Sequence, residues 1–142
     1  TYNSAGSLAP ESFRFPYEDA SFDFAFLTSV VTHLLPSAVV HYLGELRRVL
    51  RPGGRVLLTA FLWNDEAKSR VAAGRAEKTF AHELPGCRVE DMARPEDAVA
   101  YDEAWMIDRL RERGFALKCP VRYGSWSGRE TYLSRQDVIV AV

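Results

Sequence analysis

The pattern of apolar residues predicts two buried strands in the first half of the chain. Residues 22–31, FDFAFLTSVV, are nearly all apolar after Asp23. A run that is apolar on both alternating faces is typical of a parallel-sheet strand covered on both sides. Residues 55–63, RVLLTAFLW, show the same continuous apolar character and predict a second buried strand.

The segment between these strands predicts a helix over residues 36–51. Its apolar residues recur at helical spacing and form one stripe, made of Val39, Leu43, Leu46 and Leu50. Pro36 suits the first turn of a helix, and Pro52-Gly53-Gly54 ends it. A strand, a helix and a strand with short connections form a right-handed parallel βαβ crossover.

Residues 1–21 lack a clear period and are rich in turn formers. Phe13, Phe15 and Tyr17 alternate with Arg14 and Pro16. The alternation favours either a short edge strand or an extended segment packed on the core.

Residues 64–101 have a different character, and we interpret them as an insert. They predict one or two helical turns after a cap at Asn64 or Asp65, then a hairpin around Pro85-Gly86. An insert after the carboxyl end of a strand is where lids and substrate loops occur. A lid and a plain surface excursion remain equal alternatives.

The last third predicts a helix and two strands. Residues 102–114 read as a helix with a cap at Asp102 and a stop at Gly114. Residues 115–125 and 136–142 read as strands. Their connection is too short for a crossover helix, so the pair is expected to be antiparallel.

Composition describes an ordinary globular chain. At 142 residues it fits one domain, and its net charge of −1 gives no case for binding nucleic acid or an anionic membrane. Cys87 and Cys119 have no metal-type spacing and are expected to be reduced thiols in the cytoplasm. The preference for Arg over Lys suggests a GC-rich bacterium.

Several common motifs are absent or misplaced. There is no glycine-rich phosphate or dinucleotide loop, and Gly53-Gly54 follows a helix instead of preceding one. The segment GSWSG, residues 124–128, has Trp126 where a serine nucleophile would stand. The three histidines have no zinc spacing, so no metal site is predicted.

The carboxyl end of the first strand holds the candidate chemistry. Thr28, Ser29 and Val30 end that strand, and His33 follows three residues later. Ligand crevices of α/β sheets open at such ends. Capping the turn or packing within it explains the same residues equally well.

Taken together, residues 15–61 resemble the class I S-adenosylmethionine-dependent methyltransferases. The segment from FPYEDASFDF to LRRVLRPGGRVLLTAF is similar to the approach to that family's fourth strand, its fourth helix, its Pro-Gly-Gly turn and its fifth strand. The expected fold is therefore α/β, a partial Rossmann-like methyltransferase sheet: a parallel βαβ unit, a helix and a carboxyl-terminal antiparallel strand pair, the last strand lying beside the fifth. The family's first three strands and glycine-rich loop have no counterpart, so residues 1–142 are expected to be a single domain resembling the carboxyl-terminal half.

The resemblance implies S-adenosylmethionine as cofactor and a small-molecule acceptor. It implies that Thr28, Ser29 and Val30 meet the methionine part of the cofactor and that Phe13 and Arg14 approach its adenine. His33 would lie near the methyl group or the acceptor as a general base, because histidine changes protonation near neutral pH. Acceptor-pocket residues are expected to be Tyr101, Tyr123 and Trp126.

A half-sheet also predicts association. The first strand would have an unpaired edge and an apolar face, which favours a homo-oligomer or a partner over that edge. The alternative to an enzyme is therefore a non-catalytic α/β module that uses this edge for assembly or binding.

Overall fold

A computed structural model describes residues 8–142. They form an α/β fold, in which helices pack on one six-stranded sheet of parallel and antiparallel strands. The elements in chain order are β1 (Phe22–Leu27), α1 (Pro36–Val49), β2 (Leu50–Trp63), α2 (Asp65–Ala72), β3 (His82–Leu84), β4 (Cys87–Val89), β5 (Val99–Asp102), α3 (Glu103–Glu112) and β6 (Asp137–Ala141). Strand β2 pairs in parallel with β1 and β5 and antiparallel with β6. The predicted Rossmann-like α/β class is confirmed.

The βαβ unit forms as its hydrophobic pattern predicts. The four residues of the predicted stripe are at most 2% exposed, although only Val39, Leu43 and Leu46 lie on α1 and Leu50 is the first residue of β2. The helix ends at Val49, and the Pro-Gly-Gly segment becomes an irregularity in the β1–β2 ladder, where Gly53 has φ +78°. A left-handed backbone of this kind favours glycine. Within the described residues, no helix is long and apolar enough to cross a lipid bilayer.

Strand β1 is covered on one face only, so the expectation of two covered faces is wrong for the described residues. Phe24 and Phe26 on the other face are 51% and 65% exposed, and their rings stack 6.2 Å apart. Within residues 8–142, β1 pairs with β2 alone.

The segment before β1 is extended and packed on α1, which decides between the two alternatives for it. The ring of Phe15 meets Tyr42 of α1 edge-on at 5.1 Å. Glu45 accepts the Phe15 N–H at 2.7 Å and also receives hydrogen bonds from Arg48. Arg48 holds the pKa of Glu45 down to about 2, which keeps this bridge ionised.

The insert is part of the sheet. Asn64 caps α2 by accepting the Ala67 N–H at 2.9 Å, and the hairpin around Pro85-Gly86 forms strands β3 and β4, as predicted. The sequence did not predict β5, which pairs with β2 in parallel and with β4 antiparallel. Phe80, Cys87 and Val99 are fully buried, so much of this segment is core.

The last two segments are antiparallel, as expected, but only the second is a regular strand. Residues 115–125 contact β6 through isolated bridges at Leu117 and Arg122. Pro120 lies between these bridges and has no N–H to donate, which explains why the ladder is interrupted. Strand β6 lies beside β2, as the resemblance implied.

A buried carboxylate ties this region to the centre of the sheet. Asp137 is fully buried and accepts hydrogen bonds from the N–H groups of Leu62 and Gly124 and from Nε1 of Trp126, at 2.6–2.8 Å. Burial raises its pKa, while these donors favour the charged form. The Asp137 carboxylate therefore fixes the turn at residues 124–128 against β2.

We expect Gly124→Ala to destabilise the chain by about 1–3 kcal/mol. A Cβ atom at Gly124 would lie 2.3 Å from the carbonyl oxygen of Arg135, which is backbone and cannot rotate away. The matched control is Gly44→Ala on α1, where the nearest atom is 3.7 Å away on a flexible side chain. That change should be stabilising by roughly 0.5–1 kcal/mol.

Urea unfolding of both variants measures the two free energies. Equal stability of Gly124→Ala and the unmodified chain would contradict this description of the turn.

Candidate functional site

A polar cluster lies at the carboxyl end of β1. The Ser29 N–H donates to Oγ1 of Thr59 at 2.8 Å, and the Ser29 hydroxyl donates to Oε1 of Gln136 at 3.2 Å. The Thr59 hydroxyl donates to the same Gln136 oxygen. Thr59 and Gln136 are 7% and 8% exposed, so the cluster is anchored in the interior. It links β1, β2 and the start of β6 at one point.

The backbone at Ser29 is unusual. Its φ of +56° lies in the left-handed region, which costs a non-glycine residue free energy. The bond from its N–H to Thr59 holds this conformation. The resulting turn leaves the Thr28 side chain exposed and packs Val30 partly against the core.

His33 ends a 3-10 turn over Val31–His33 and is half-buried. Its Nδ1 lies 3.0 Å from the backbone carbonyl oxygen of Glu96. Because a carbonyl oxygen only accepts hydrogen bonds, Nδ1 carries the proton in this arrangement. The neutral ring then has its lone pair on Nε2, the atom that a general base would use.

Tyr101 is hydrogen-bonded to the backbone of this turn and does not line an open surface. It is fully buried, and its hydroxyl donates to the backbone carbonyls of Leu34 and, at 3.4 Å, Val31. Burial raises the pKa of its phenol well above the usual range. The expectation that Tyr101 touches an acceptor is therefore corrected: its side chain positions the residues around His33.

Trp126 is likewise a core residue. It is fully buried, and its ring packs against Phe61, Trp63 and Phe80 at centroid distances of 5.4–6.4 Å. Since an acceptor cannot reach a fully buried ring, its expected place in an acceptor pocket is also corrected. The indole N–H is bound by Asp137.

Tyr123 lies at an accessible place. It lines a cavity of about 740 Å³, and its hydroxyl donates to Glu103 Oε1 at 2.6 Å. Burial, followed by the carboxylate of Glu103, raises the pKa of Tyr123 to about 12. The same Glu103 accepts from Asn64 at 2.7 Å and lines a second cavity of about 730 Å³ at the carboxyl ends of β2 and β5.

Phe13 and Arg14 lie along α1, apart from the Ser29 cluster. The backbone carbonyl of Phe13 accepts from Nε2 of His41 at 2.9 Å. Arg14 is exposed and lies 3.9 Å from Asp19. Their polar contacts therefore run to α1 and the segment before β1 and do not reach Ser29.

Sequence reasoning missed Thr59 and Gln136, the two residues that complete the cluster. Thr59 is the one polar residue within the apolar run of residues 56–63, and Gln136 comes directly before the last strand. A hydroxyl inside a buried strand needs a partner, which is the signal that identifies it. Among residues 8–142, no group of three or more metal-ligating side chains converges.

One protein family matches the part of the chain that contains most of the βαβ unit. Residues 7–58 match a family described as a methyltransferase domain. This range contains β1, α1 and the first part of β2, together with the turn that holds Ser29 and His33.

Solved structures share the fold over nearly the whole chain. A S-adenosylmethionine-dependent methyltransferase from Methanosarcina mazei is 22% identical with a TM-score of 0.61, the match covering 94% of this chain and 64% of that one. A Mesorhizobium loti methyltransferase of the same kind is 13% identical with a TM-score of 0.60, covering 94% and 66%. The 1,6-didemethyltoxoflavin-N1-methyltransferase of Burkholderia thailandensis, bound to 1,6-didemethyltoxoflavin and S-adenosylhomocysteine, is 18% identical with a TM-score of 0.56, covering 96% and 48%. The chain thus spans about half to two thirds of the length of these structures.

We expect Thr59→Val to loosen the turn at Ser29. Valine preserves the shape of threonine but removes the oxygen that accepts the Ser29 N–H, so the amide hydrogen of Ser29 should exchange faster with solvent. The loss should be destabilising by about 1–3 kcal/mol, the cost of leaving buried polar groups unpaired. Hydrogen exchange read by NMR measures the first effect and urea unfolding the second.

Thr79→Val is the control, because Thr79 is exposed. An unchanged exchange rate at Ser29 in Thr59→Val would show that Thr59 does not hold the turn.

Proposed function

We propose, on the premise that this chain has the fold of the class I S-adenosylmethionine-dependent methyltransferases, that it forms part of a site that transfers a methyl group from S-adenosylmethionine to a small-molecule acceptor. The observation that carries the proposal is the cluster of Ser29, Thr59 and Gln136 at the carboxyl end of β1. This is the end of the strand where open α/β sheets bind ligands. The Burkholderia structure, which holds S-adenosylhomocysteine, supports the choice of cofactor.

The residues at this strand end fit one part of the cofactor. Thr28 offers an exposed hydroxyl, Ser29 a backbone held in an unusual conformation, and Val30 an apolar side chain. Hydroxyl and backbone groups can bind the amino and carboxylate groups of a methionine moiety. In our proposal these three residues contact that moiety, while Phe13 and Arg14 approach the adenine.

When bound, S-adenosylmethionine supplies a methyl group on a positively charged sulfur. The chain contributes alignment of the acceptor, which is the main source of rate in such transfers. His33 takes the acceptor proton at Nε2, with the ring held by its contact to the Glu96 carbonyl. Tyr101 positions the His33 turn through Leu34, and Tyr123 is the acceptor-site residue that remains accessible.

The cofactor assignment predicts saturable binding of S-adenosylhomocysteine by the 142-residue chain in calorimetric titration. Thr28→Val should weaken that binding by about two- to tenfold, because it removes one exposed hydrogen-bonding hydroxyl. Thr79→Val, on a distant exposed site, should leave the affinity unchanged. Binding that Thr28→Val leaves unchanged, or that both variants weaken equally, would contradict the assignment. A folded chain without saturable binding at millimolar concentration would favour a non-catalytic role for this chain alone.

The non-catalytic alternative rests on a separate observation, the open side of β1. Within residues 8–142 this strand has one sheet neighbour, and Phe24 and Phe26 expose a stacked aromatic pair beside the unpaired backbone. Edge strands with apolar faces pair readily with other strands. In this alternative the chain assembles with a second copy through β1.

Light scattering at micromolar concentration tests the association. The chain should form a dimer or larger species, and Phe26→Lys should convert it to a monomer because a charge on an edge strand opposes pairing. Met92→Lys is the matched control, since Met92 is 54% exposed and lies outside the strands. A monodisperse monomer of the unmodified chain would contradict the assembly role.

A further inference from the structure

An arginine-lined cavity lies beside α2, and it is the cavity that Tyr123 lines. It has a volume of about 740 Å³, within the range of small-molecule sites. Four arginines line it, namely Arg70, Arg75, Arg122 and Arg129, against two glutamates, Glu66 and Glu130. The balance of charge at the wall is therefore positive.

Two of these arginines are already paired with Glu66. Its carboxylate accepts from Arg70 Nε at 2.8 Å and from Arg129 Nη2 at 3.2 Å. These hydrogen bonds, that of Arg70 first, lower the pKa of Glu66. Glu66 thus stays ionised and structural over the physiological range.

The other two arginines, Arg75 and Arg122, can bind a ligand through their guanidinium groups. Arg75 and Arg122 are exposed, and within residues 8–142 neither forms an ion pair or a side-chain hydrogen bond. Arginine presents several N–H donors in a planar fork that matches carboxylate and phosphate groups. Two unpaired guanidinium groups on one cavity wall favour a ligand with two or more negative charges.

Other residues of the cavity lining are held by internal contacts. Arg129 is only 7% exposed, its guanidinium lies 4.4 Å from the centre of the Tyr123 ring, and Nη1 donates to Ser127 Oγ at 2.7 Å. Arg70 Nη1 donates to the carbonyl of Gly128 at 2.7 Å, and Gly128 has φ +84°. A Cβ atom there would lie 2.4 Å from the carbonyl oxygen of Arg75. The segment carrying Arg75 is thereby held close against the 127–129 turn.

Arg129 also has unused hydrogen-bonding capacity. Its Nε is buried and has no hydrogen-bond partner among the described residues. Unpaired buried polar groups of this kind are rare in folded proteins and are common where a ligand or water belongs. This feature is independent of the exposed pair Arg75 and Arg122.

We propose that this cavity binds a small organic anion carrying two or more carboxylate or phosphate charges, held by Arg75 and Arg122 against the wall formed by Arg129 and Tyr123. Anion binding in this cavity does not require methyl transfer, although the cavity shares Tyr123 with the proposed acceptor site.

Calorimetric titration of the 142-residue chain with inorganic pyrophosphate and with citrate tests the proposal. At least one probe should bind saturably, and the double variant Arg75→Gln/Arg122→Gln should weaken binding about tenfold or more. Glu130→Gln should tighten binding, because it removes a negative charge from the wall. Tighter binding of pyrophosphate assigns a phosphate ligand, and tighter binding of citrate assigns a carboxylate ligand.

The matched control is Arg55→Gln, which removes an exposed guanidinium of β2 outside the cavity. Equal weakening in the control and the double variant would show that only overall charge matters and would overturn the proposal. Binding of neither probe, or binding that the double variant leaves intact, would also overturn it. Because Arg75 and Arg122 are exposed, the double variant should unfold in urea at the same concentration as the unmodified chain.

Discussion

The buried carboxylate of Asp137 is the contact on which the carboxyl-terminal half of the structure depends. It joins the backbone of β2 at Leu62, the turn at Gly124 and the indole of Trp126 in one group of hydrogen bonds. A charge buried without partners would be too costly to keep, so these donors must be in place together. Through Trp126, the same contact orders the aromatic cluster with Phe61 and Phe80.

The position of Gln136 follows from that anchor. Because Asp137 is fixed opposite Ala60 of β2, the preceding residue is brought to the end of β1, where it accepts from Ser29 and Thr59. On the other side of the anchor, the turn at Gly124 leads to Arg129 and the arginine-lined cavity. Both proposed sites therefore depend on where one carboxylate holds the chain.

The fold could be predicted where the hydrophobic pattern is long and regular. The apolar runs of β1 and β2, with the apolar stripe on α1 between them, predict a βαβ unit. The cap at Asn64 and the turn at Pro85-Gly86 are predicted from local residue types. Strand β5 cannot be predicted in the same way, because its four residues are too short to show a period and its parallel partner β2 is distant in the chain. Residues 115–125 have the apolar content of a strand, but the missing N–H of Pro120 interrupts their ladder with β6.

The candidate site could be predicted only in part. The end of β1 is recognisable from the polar pair Thr28 and Ser29 after an apolar run, but the partners of Ser29 lie 30 and 107 residues away. Burial likewise cannot be predicted from residue type. Tyr101 and Trp126 are residue types that occur both in pocket walls and in cores, and packing against residues distant in the chain buries both of them. The resemblance to methyltransferases predicts the fold, whereas only the folded structure brings Thr59 and Gln136 to Ser29.

In our proposal, the carboxyl end of β1 is where this chain meets a methyltransferase cofactor. Backbone amide chemical shifts of the chain, recorded by NMR with increasing S-adenosylhomocysteine, test it most directly. We expect the largest changes on residues 28–33, with smaller changes at Thr59 and Gln136. Changes confined to other parts of the chain would contradict the account.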